Sequence, residues 1–368
     1  MPDRSEPQAI VDSRDAAEAA GLVYVSTDDP SLTRRRAGKG FAYWDAAGHR
    51  VSDPAALQRV RALAIPPAWT GVWICADPNG HIQAVGHDDR GRRQYRYHAK
   101  FREVREGVKF EHMMAFAEAL PGVRRQVAAD MSAPGLGRAR VLATVVRLLE
   151  TTMIRIGNSA YARENGSFGL TTLLNRHVKI EAAELRFQFK GKSGKVWRLG
   201  VRDRRIARIV RSCQELPGQQ LFQYLDEAGE RQSVTSADVN TYLREISGAD
   251  ITAKDFRTWT GTVLAAMALA EFEKADSAVH AKKNVTQAIE RVSATLGNTP
   301  TICRKCYIHP EIVSAYLDGA LLLEVQRDID SQLRDTLETL RPEEAAVLSF
   351  LRSRVMRDLV ACDSAPSV

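Results

Sequence analysis

With 368 residues, 44% of them hydrophobic and 26% charged, the chain is long enough to bury a sizeable core and to hold two or more domains. It contains no run of eighteen apolar residues, and Met1-Pro2-Asp3-Arg4-Ser5-Glu6 lacks the basic-then-apolar pattern of a secretory leader. A cytoplasmic protein with reduced cysteines and no membrane partner is therefore expected. The net charge of +7 is uneven: of 52 Lys/Arg and 45 Asp/Glu, residues 311–368 hold 6 and 11, leaving 46 and 34 for residues 1–310, a basic surplus that points to a polyanionic partner.

Residues 1–38 are polar, carry the run Arg34-Arg35-Arg36 and show little periodicity, so a partly disordered lead-in is expected there. Phe41-Ala42-Tyr43-Trp44 and Val51 flank Asp45-Ala46-Ala47-Gly48 as a hairpin. Pro54 to Ala64 has helical spacing and stops at Ile65-Pro66-Pro67. Val72-Trp73-Ile74-Cys75 and Ile82-Gln83-Ala84-Val85 lie either side of Asp77-Pro78-Asn79-Gly80 as a second hairpin, and Gln94-Tyr95-Arg96-Tyr97 reads as a further strand. Residues 39–105 are thus expected to form a small sheet-rich domain. Its last stretch interleaves Arg92, Arg93, Gln94, Tyr95 and Tyr97, cations suited to phosphates and rings suited to sugars or bases. The plainer alternative is a solvated edge strand guarded by its charges.

Beyond Val104 the helical period dominates, and residues 106–368 are expected as one mainly helical domain with C-terminal helices. Val108 to Leu120 and Arg138 to Ile154 read as helices, the second with Val141, Leu142, Val145, Leu148 and Leu149 on one face. Ile154-Arg155-Ile156-Gly157-Asn158 follows, then a glycine-broken, donor-rich loop from Tyr161 to Leu170. Tyr161, and Thr172 just after the loop, are further candidates for nucleic-acid contact. Leu185 to Lys190 alternates, Gly191-Lys192-Ser193-Gly194 turns and Val196-Trp197-Arg198-Leu199 returns, a hairpin with Lys192 at its tip. Helices are expected over 203–214, 218–225, 236–246, 255–272 and 281–296, then over 312–323, 328–340 and 342–360.

Between these helices stands Gly297-Asn298-Thr299-Pro300-Thr301-Ile302-Cys303-Arg304-Lys305-Cys306-Tyr307-Ile308-His309-Pro310. Thr299 reads as an N-cap and Pro300 as the first helical residue, which puts Tyr307 near a helix end. Cys303-x-x-Cys306 suggests half of a zinc or redox site, but Cys75, Cys213 and Cys362 are single and scattered, and no histidine pair has metal spacing. A disulfide between Cys303 and Cys306 that mis-aims Tyr307 under oxidation is a subsidiary expectation, against poor geometry at three residues' separation in a helix.

The ordered set Arg155, Lys192, Arg257, Asn298 and Tyr307 sits in Ile-Arg155-Ile-Gly-Asn, Phe-Lys-Gly-Lys192, Lys-Asp-Phe-Arg257-Thr, Leu-Gly-Asn298 and Cys-Arg-Lys-Cys-Tyr307. It resembles the type IB DNA topoisomerases, in particular the small poxvirus-like and bacterial form. The likeness runs from about Lys39 to about Pro310, and includes Arg93-Gln94-Tyr95-Arg96-Tyr97 and Glu164-Asn165-Gly166-Ser167-Phe168-Gly169-Leu170. Asn298 departs from the histidine of poxviral and eukaryotic members; an amide donates a hydrogen bond but takes no charge.

The resemblance implies an α+β architecture in which the helical catalytic domain is similar to that of tyrosine recombinases and a β-hairpin carries the catalytic lysine. It implies relaxation of supercoiled double-stranded DNA without ATP, metal or cofactor, by a nucleoid-associated monomer forming a clamp around the duplex. The residue types suit that chemistry. Tyr307 would attack phosphorus and form a 3′-phosphotyrosyl ester, Arg155 and Arg257 have planar forks for non-bridging oxygens, Asn298 is a neutral donor, and Lys192 would protonate the leaving 5′ oxygen. No P-loop and no carboxylate cluster for magnesium occurs. A tyrosine recombinase is the nearest rival; its histidine three residues before the second arginine is replaced here by Lys254. A non-catalytic DNA clamp is the alternative of another class.

Overall fold

The computed structural model describes residues 9–89, 91–272, 275–321 and 340–363. They form two compact units, residues 1–111 and 112–368, and the architecture is α+β, sheet-rich in the first unit and mainly helical in the second.

In the first unit, helix α1 (Ala9–Ala19) precedes strands β1 (Ser31–Ala37) and β2 (Gly40–Trp44), helix α2 (Pro54–Ala62), and strands β3 (Thr70–Cys75), β4 (Ile82–His87) and β5 (Arg93–Tyr97). The strands make one antiparallel sheet in the order β2-β1-β3-β4-β5. Leu32, Val60, Val72, Ile74 and Ala84 close under it, with Tyr43, Leu63, Ile65 and Trp69 at the margin. Asp53 starts α2 by accepting from the Ala55 and Ala56 amides.

Residues 9–38, expected within a disordered lead-in, are in good part ordered. The run Arg34-Arg35-Arg36 is a strand because Arg34 donates to the Ile65, Pro66 and Trp69 carbonyls at 3.2, 3.0 and 2.7 Å and lies 4.1 Å over the Phe41 ring. A charge so satisfied by carbonyls and an aromatic face no longer opposes folding.

Helix α3 (Ala99–Asp130) contains the division between the units and passes through Pro121, far beyond the expected Val108–Leu120. The second unit continues with α4 (Arg138–Thr152), α5 (Ser159–Asn165), β6 (Val178–Glu181), β7 (Glu184–Lys190), β8 (Val196–Arg202), α6 (Arg204–Glu215), β9 (Gln223–Leu225), β10 (Arg231–Ser233), α7 (Ser236–Ser247), α8 (Ala253–Ala270), α9 (Ala278–Leu296), α10 (Pro300–Tyr307), α11 (Pro310–Leu317) and α12 (Pro342–Asp363). The helical expectation over 328–340 falls, but for Leu340, outside the described residues.

Two sequence expectations are corrected here. Residues 223–225 are a strand paired with β10, because Asp226 accepts from the Ala228 and Glu230 amides and turns the chain. The loop at Tyr161 is largely helix α5, started by Asn158, which accepts from the Ala160 and Tyr161 amides, and stopped by Gly166 at φ 54°.

Helix α8 is the spine of this unit. Phe256, Trp259, Val263, Ala265, Ala266 and Leu269 are buried along it, and α4, α7, α9, α10, α11 and α12 all pack on it. Helix α12 is also tied down by charge: Arg124 donates from both terminal nitrogens to the Glu344 carboxylate at 2.8 Å and from Nε to Glu150 at 2.6 Å. Both carboxylates are deeply buried, so losing one partner of this network would be costly, about 3–5 kcal/mol for buried pairs in general.

Candidate active site

Helix α4 ends when Met153 adopts a left-handed conformation, φ 55°, and its N–H donates to the Leu149 carbonyl. The chain then runs extended through Arg155. Its carbonyl accepts from the Leu170 amide at 2.9 Å, and the next carbonyl, Ile156, accepts from the Thr171 amide at 2.7 Å. Gly157 and Gly169 touch backbone to backbone. A Cβ on Gly169 would lie 2.5 Å from the Arg155 oxygen and 2.6 Å from Gly157, and Gly157 itself stands at φ 104°. The glycine in Glu164-Asn165-Gly166-Ser167-Phe168-Gly169-Leu170 is thereby explained: it lets the 169–172 turn clamp the segment that carries Arg155.

Arg257 comes from the second turn of α8, whose start is fixed by Thr252 donating from its amide and hydroxyl to Asp255, each at 2.8 Å. Only 4% of Arg257 is exposed. One terminal nitrogen donates to the Met153 carbonyl and the other to the Leu296 carbonyl at 2.6 Å, so a single guanidinium joins the end of α4 to the end of α9. Its Nε is buried without a partner among the described residues, and its carbon lies 5.2 Å from the Tyr307 ring centre.

Helix α9 stops at Gly297, φ 64°, and the Asn298 amide donates to the Ser293 carbonyl. Arg155 donates from Nη2 to the Asn298 side-chain oxygen, and the Asn298 Nδ2 is buried with no partner among the described residues. Thr299 then caps α10 by accepting from the Ile302 amide, Pro300 is its first residue, and Tyr307 is its last. Burial, the nearby Arg257 charge and a hydrogen bond with the Tyr307 phenol act together on the Arg155 guanidinium; the first two dominate and hold it below its ordinary value. An arginine so placed stays charged in a protein, so the site presents two cations, one amide donor and one phenol, with Arg155 bonded to both Asn298 and Tyr307 and Arg257 beside the Tyr307 ring.

Tyr307 is also held from behind, by residues the sequence reading did not single out. A Cβ on Gly261 would sit 2.7 Å from the Tyr307 carbonyl oxygen and 3.1 Å from its Cβ. Thr262 donates its hydroxyl to the same carbonyl at 3.2 Å and accepts from the His309 amide at 3.1 Å. Gly261 and Thr262 are four and five residues past Arg257, so one turn of α8 carries the arginine and the next holds the tyrosine. A glycine within a small-residue apolar helix carries no such signal in sequence.

The structure thus brings Arg155, Arg257, Asn298 and Tyr307 together. Lys192 stands apart. It is exposed at the β7–β8 tip, and no hydrogen bond or ion pair joins it to the other four among the described residues. Cys303 is buried, with its thiol pushed up to about 11 by burial, and Cys306 is half-buried; neither is in a disulfide.

The remaining candidates are scattered. Tyr161 is 44% exposed on α5, whereas Thr172 is buried with its hydroxyl accepting from the Gly169 amide at 2.9 Å, a tie that steadies the Arg155 segment. In the first unit β5 is the sheet edge. There Arg92 pairs with Asp88 at 2.7 Å, Gln94 donates to Asp88 at 3.0 Å, Arg93 donates to the Thr27 hydroxyl at 2.8 Å, and Tyr95 stacks on Tyr97 at 5.8 Å.

Residues 98–333 match the model of the catalytic core of eukaryotic DNA topoisomerase I, and residues 40–88 that of the N-terminal domain of bacterial DNA topoisomerase IB. The chain belongs to the type IB DNA topoisomerase family. All five candidate catalytic residues lie inside the topoisomerase core match, while β5 falls between the two matched regions. Among relatives, the DNA topoisomerase 1B of Acanthamoeba polyphaga mimivirus is 31% identical over 284 residues, 75% of this chain and 84% of the relative. The DNA topoisomerase 1B of Vaccinia virus (strain Copenhagen) is 23% identical over 244 residues, 65% of this chain and 73% of the relative.

Proposed function

We propose that this type IB topoisomerase relaxes supercoiled DNA through Tyr307, with Arg155, Arg257, Asn298 and Lys192 as its catalytic partners. The observation that carries the reading is the convergence of Arg155, Arg257 and Asn298 on one phenol at a helix end. A phosphodiester drawn to two guanidiniums and an unpartnered amide would present its phosphorus to that phenol.

In the cleavage step the Tyr307 oxygen bonds to phosphorus as the bond to the 5′ oxygen breaks. The phenol proton passes to water, and Lys192 Nζ gives a proton to the departing oxygen, so the products are a 3′-phosphotyrosyl ester and a free 5′-hydroxyl. Arg155 and Arg257 offset the charge that builds on the non-bridging oxygens; deleting one such donor typically costs ~10²–10³ in rate. The free Nδ2 of Asn298 is the fourth donor. Phosphoryl transfer between two oxygen esters stores the bond energy, so attack by the 5′-hydroxyl restores the strand without ATP. Between the two steps the free strand rotates and supercoils relax.

Lys192 reaches the scissile bond in this reading from an exposed hairpin tip, on a flexible four-carbon stem. The basic, aromatic β5 supports a second contact by the first unit, with Arg92, Arg93, Gln94, Tyr95 and Tyr97 toward the backbone and Tyr161 on the catalytic unit, as in a monomeric clamp around the duplex. The same chemistry and a similar catalytic fold belong to tyrosine recombinases. No described helix is long and apolar enough to cross a membrane, and a nucleoid-associated protein fits the proposed substrate.

Supercoiled plasmid in EDTA without ATP tests the assignment. Relaxation by the wild type and none by Tyr307→Phe is expected, with a covalent DNA adduct formed by the wild type alone. Unchanged relaxation by the variant removes Tyr307 as nucleophile, and strand exchange between two sites would assign a recombinase.

A further inference from the structure

The β7–β8 hairpin is strictly alternating, and Phe187 and Phe189 face the core while Arg186, Gln188, Lys190 and Arg198 face water. Trp197 belongs to the inner face. It pairs in register with Phe189, and the two rings are stacked at 6.3 Å and 4°. Stacking accounts for one face of the indole. Its two edges do something else.

At one edge lies Gly191, the residue before Lys192: a Cβ there would stand 2.7 Å from both Trp197 Cδ1 and Nε1. At the other edge lies Gly297, the residue before Asn298: a Cβ there would stand 2.6 Å from Trp197 Cζ2 and 3.1 Å from Cη2. Lys195 follows the same path, with its Nζ 5.8 Å from the indole centre and 3.4 Å from that Gly297 position. Gly191 has φ −95°, so its backbone demands no glycine; the room it leaves is occupied by the indole. One side chain therefore lies against the backbone immediately before two of the five proposed catalytic residues, which share no hydrogen bond or ion pair among the described residues.

We infer that Trp197 is a positioning residue that holds the Lys192 turn and the Asn298 turn in one arrangement, so that proton donor and phosphate donor meet the same phosphodiester. This rests on the assignment of Lys192 as the acid. Lys192 itself stays free at the exposed tip; what Trp197 fixes is the root of that tip. Loss of the indole edge leaves Arg257 and Tyr307 in place, since their contacts run through α4, α8 and α9.

The test is single-turnover cleavage by Trp197→Phe of two DNA substrates, one ordinary and one with sulfur in place of the 5′ bridging oxygen. A thiol is far more acidic than an alcohol, so the sulfur leaves as thiolate and needs no acid. Phenylalanine keeps the stack on Phe189 but withdraws the ring edge from Gly297. On the oxygen substrate a loss of ~10–10² is expected, the scale of an ångström's misplacement. On the sulfur substrate a clearly smaller loss is expected, because sulfur restores the share of Lys192 but not that of Asn298, and the remaining cleavage also shows the variant folded. Gly191→Ala, which displaces the indole from the other edge, is expected to show the same pair of results.

Wild-type cleavage of the oxygen substrate by both variants overturns the inference, and so does equal loss on both substrates, which would mean a structural role only. Lys192→Ala is the control, expected to lose ~10²–10⁴ on oxygen and to recover on sulfur. If that variant does not recover, Lys192 is not the acid, and both readings fall for a reason separate from the docking of Trp197.

Discussion

Arg257 and Lys192 are both cations proposed to act on one phosphodiester, and the fold treats them in opposite ways. Arg257 is buried, its two terminal nitrogens donate to the Met153 and Leu296 carbonyls, and it lies over the Tyr307 ring. Lys192 stands in solvent at a hairpin tip. The difference follows from the two jobs. Charge stabilisation rewards a cation fixed before the substrate arrives, because nothing then has to reorganise during reaction. Proton donation to a leaving group that moves away rewards reach. A planar five-donor fork can bind the frame and the substrate at once, whereas an ammonium on a flexible stem suits the second task.

Replacing the two cations in turn should expose that division with the largest effects available. Arg257→Ala is expected to lose at least ~10² in cleavage rate. It should also lower the unfolding free energy by several kcal/mol, because two buried carbonyls lose their donors at ~1–3 kcal/mol each. Lys192→Ala should lose rate alone, with its melting temperature unchanged within ~1 °C because an exposed tip residue contributes little to stability. Single-turnover cleavage beside thermal unfolding reads both quantities. An Arg257→Ala protein as stable as wild type would show that the guanidinium is not part of the frame, and a destabilised Lys192→Ala protein would show that the tip is.

A smaller effect should come from the residue that lets the nucleophile sit so close to the frame. Alanine is better than glycine inside a helix by about 1 kcal/mol, so on propensity alone Gly261→Ala should strengthen α8. The added Cβ, however, would meet the Tyr307 carbonyl at 2.7 Å, and the contact is backbone, which cannot swing aside. Cleavage is expected to fall by ~10–10² while the protein stays folded, since a displacement near 1 Å costs about that much. Wild-type cleavage by Gly261→Ala would mean that α10 tolerates displacement, and the buried half of the site would then be less rigid than its hydrogen bonds imply.

What could be read without coordinates follows the same line between local and distant. The alternation of β7 and β8, the N-cap Thr299, and Pro300 at the start of α10 are local signals, and each element forms where its residues direct. The candidate residues Arg155, Arg257, Asn298 and Tyr307 were legible as types in an order, but not as a cluster: Arg155 and Asn298 meet across 143 positions. Gly261, Thr262 and Trp197 were invisible as site residues because their contribution is a contact with distant backbone, and nothing in a helix or a strand pattern marks it. The strand at Arg34 is hidden in the sequence for the related reason that its three carbonyl partners lie 31 to 35 residues away.

The edge strand β5 and the residue before it extend the comparison to cations that are exposed yet partly occupied. Arg92 is shared with Asp88 and Arg93 with Thr27, so a phosphate would compete with a contact already made, unlike at the open tip of Lys192. Such cations act by number more than by position: each phosphate neutralised adds about 0.9 to the slope of log affinity against log salt. Arg92→Ala combined with Arg93→Ala is therefore expected to lower that slope by at most ~2 and to leave relaxation at low salt within a few-fold of wild type. Duplex binding titrated across salt concentrations measures it. An unchanged slope would remove β5 from the DNA contact, while a loss of cleavage at saturating DNA would mean that these exposed arginines, like buried Arg257, act by position.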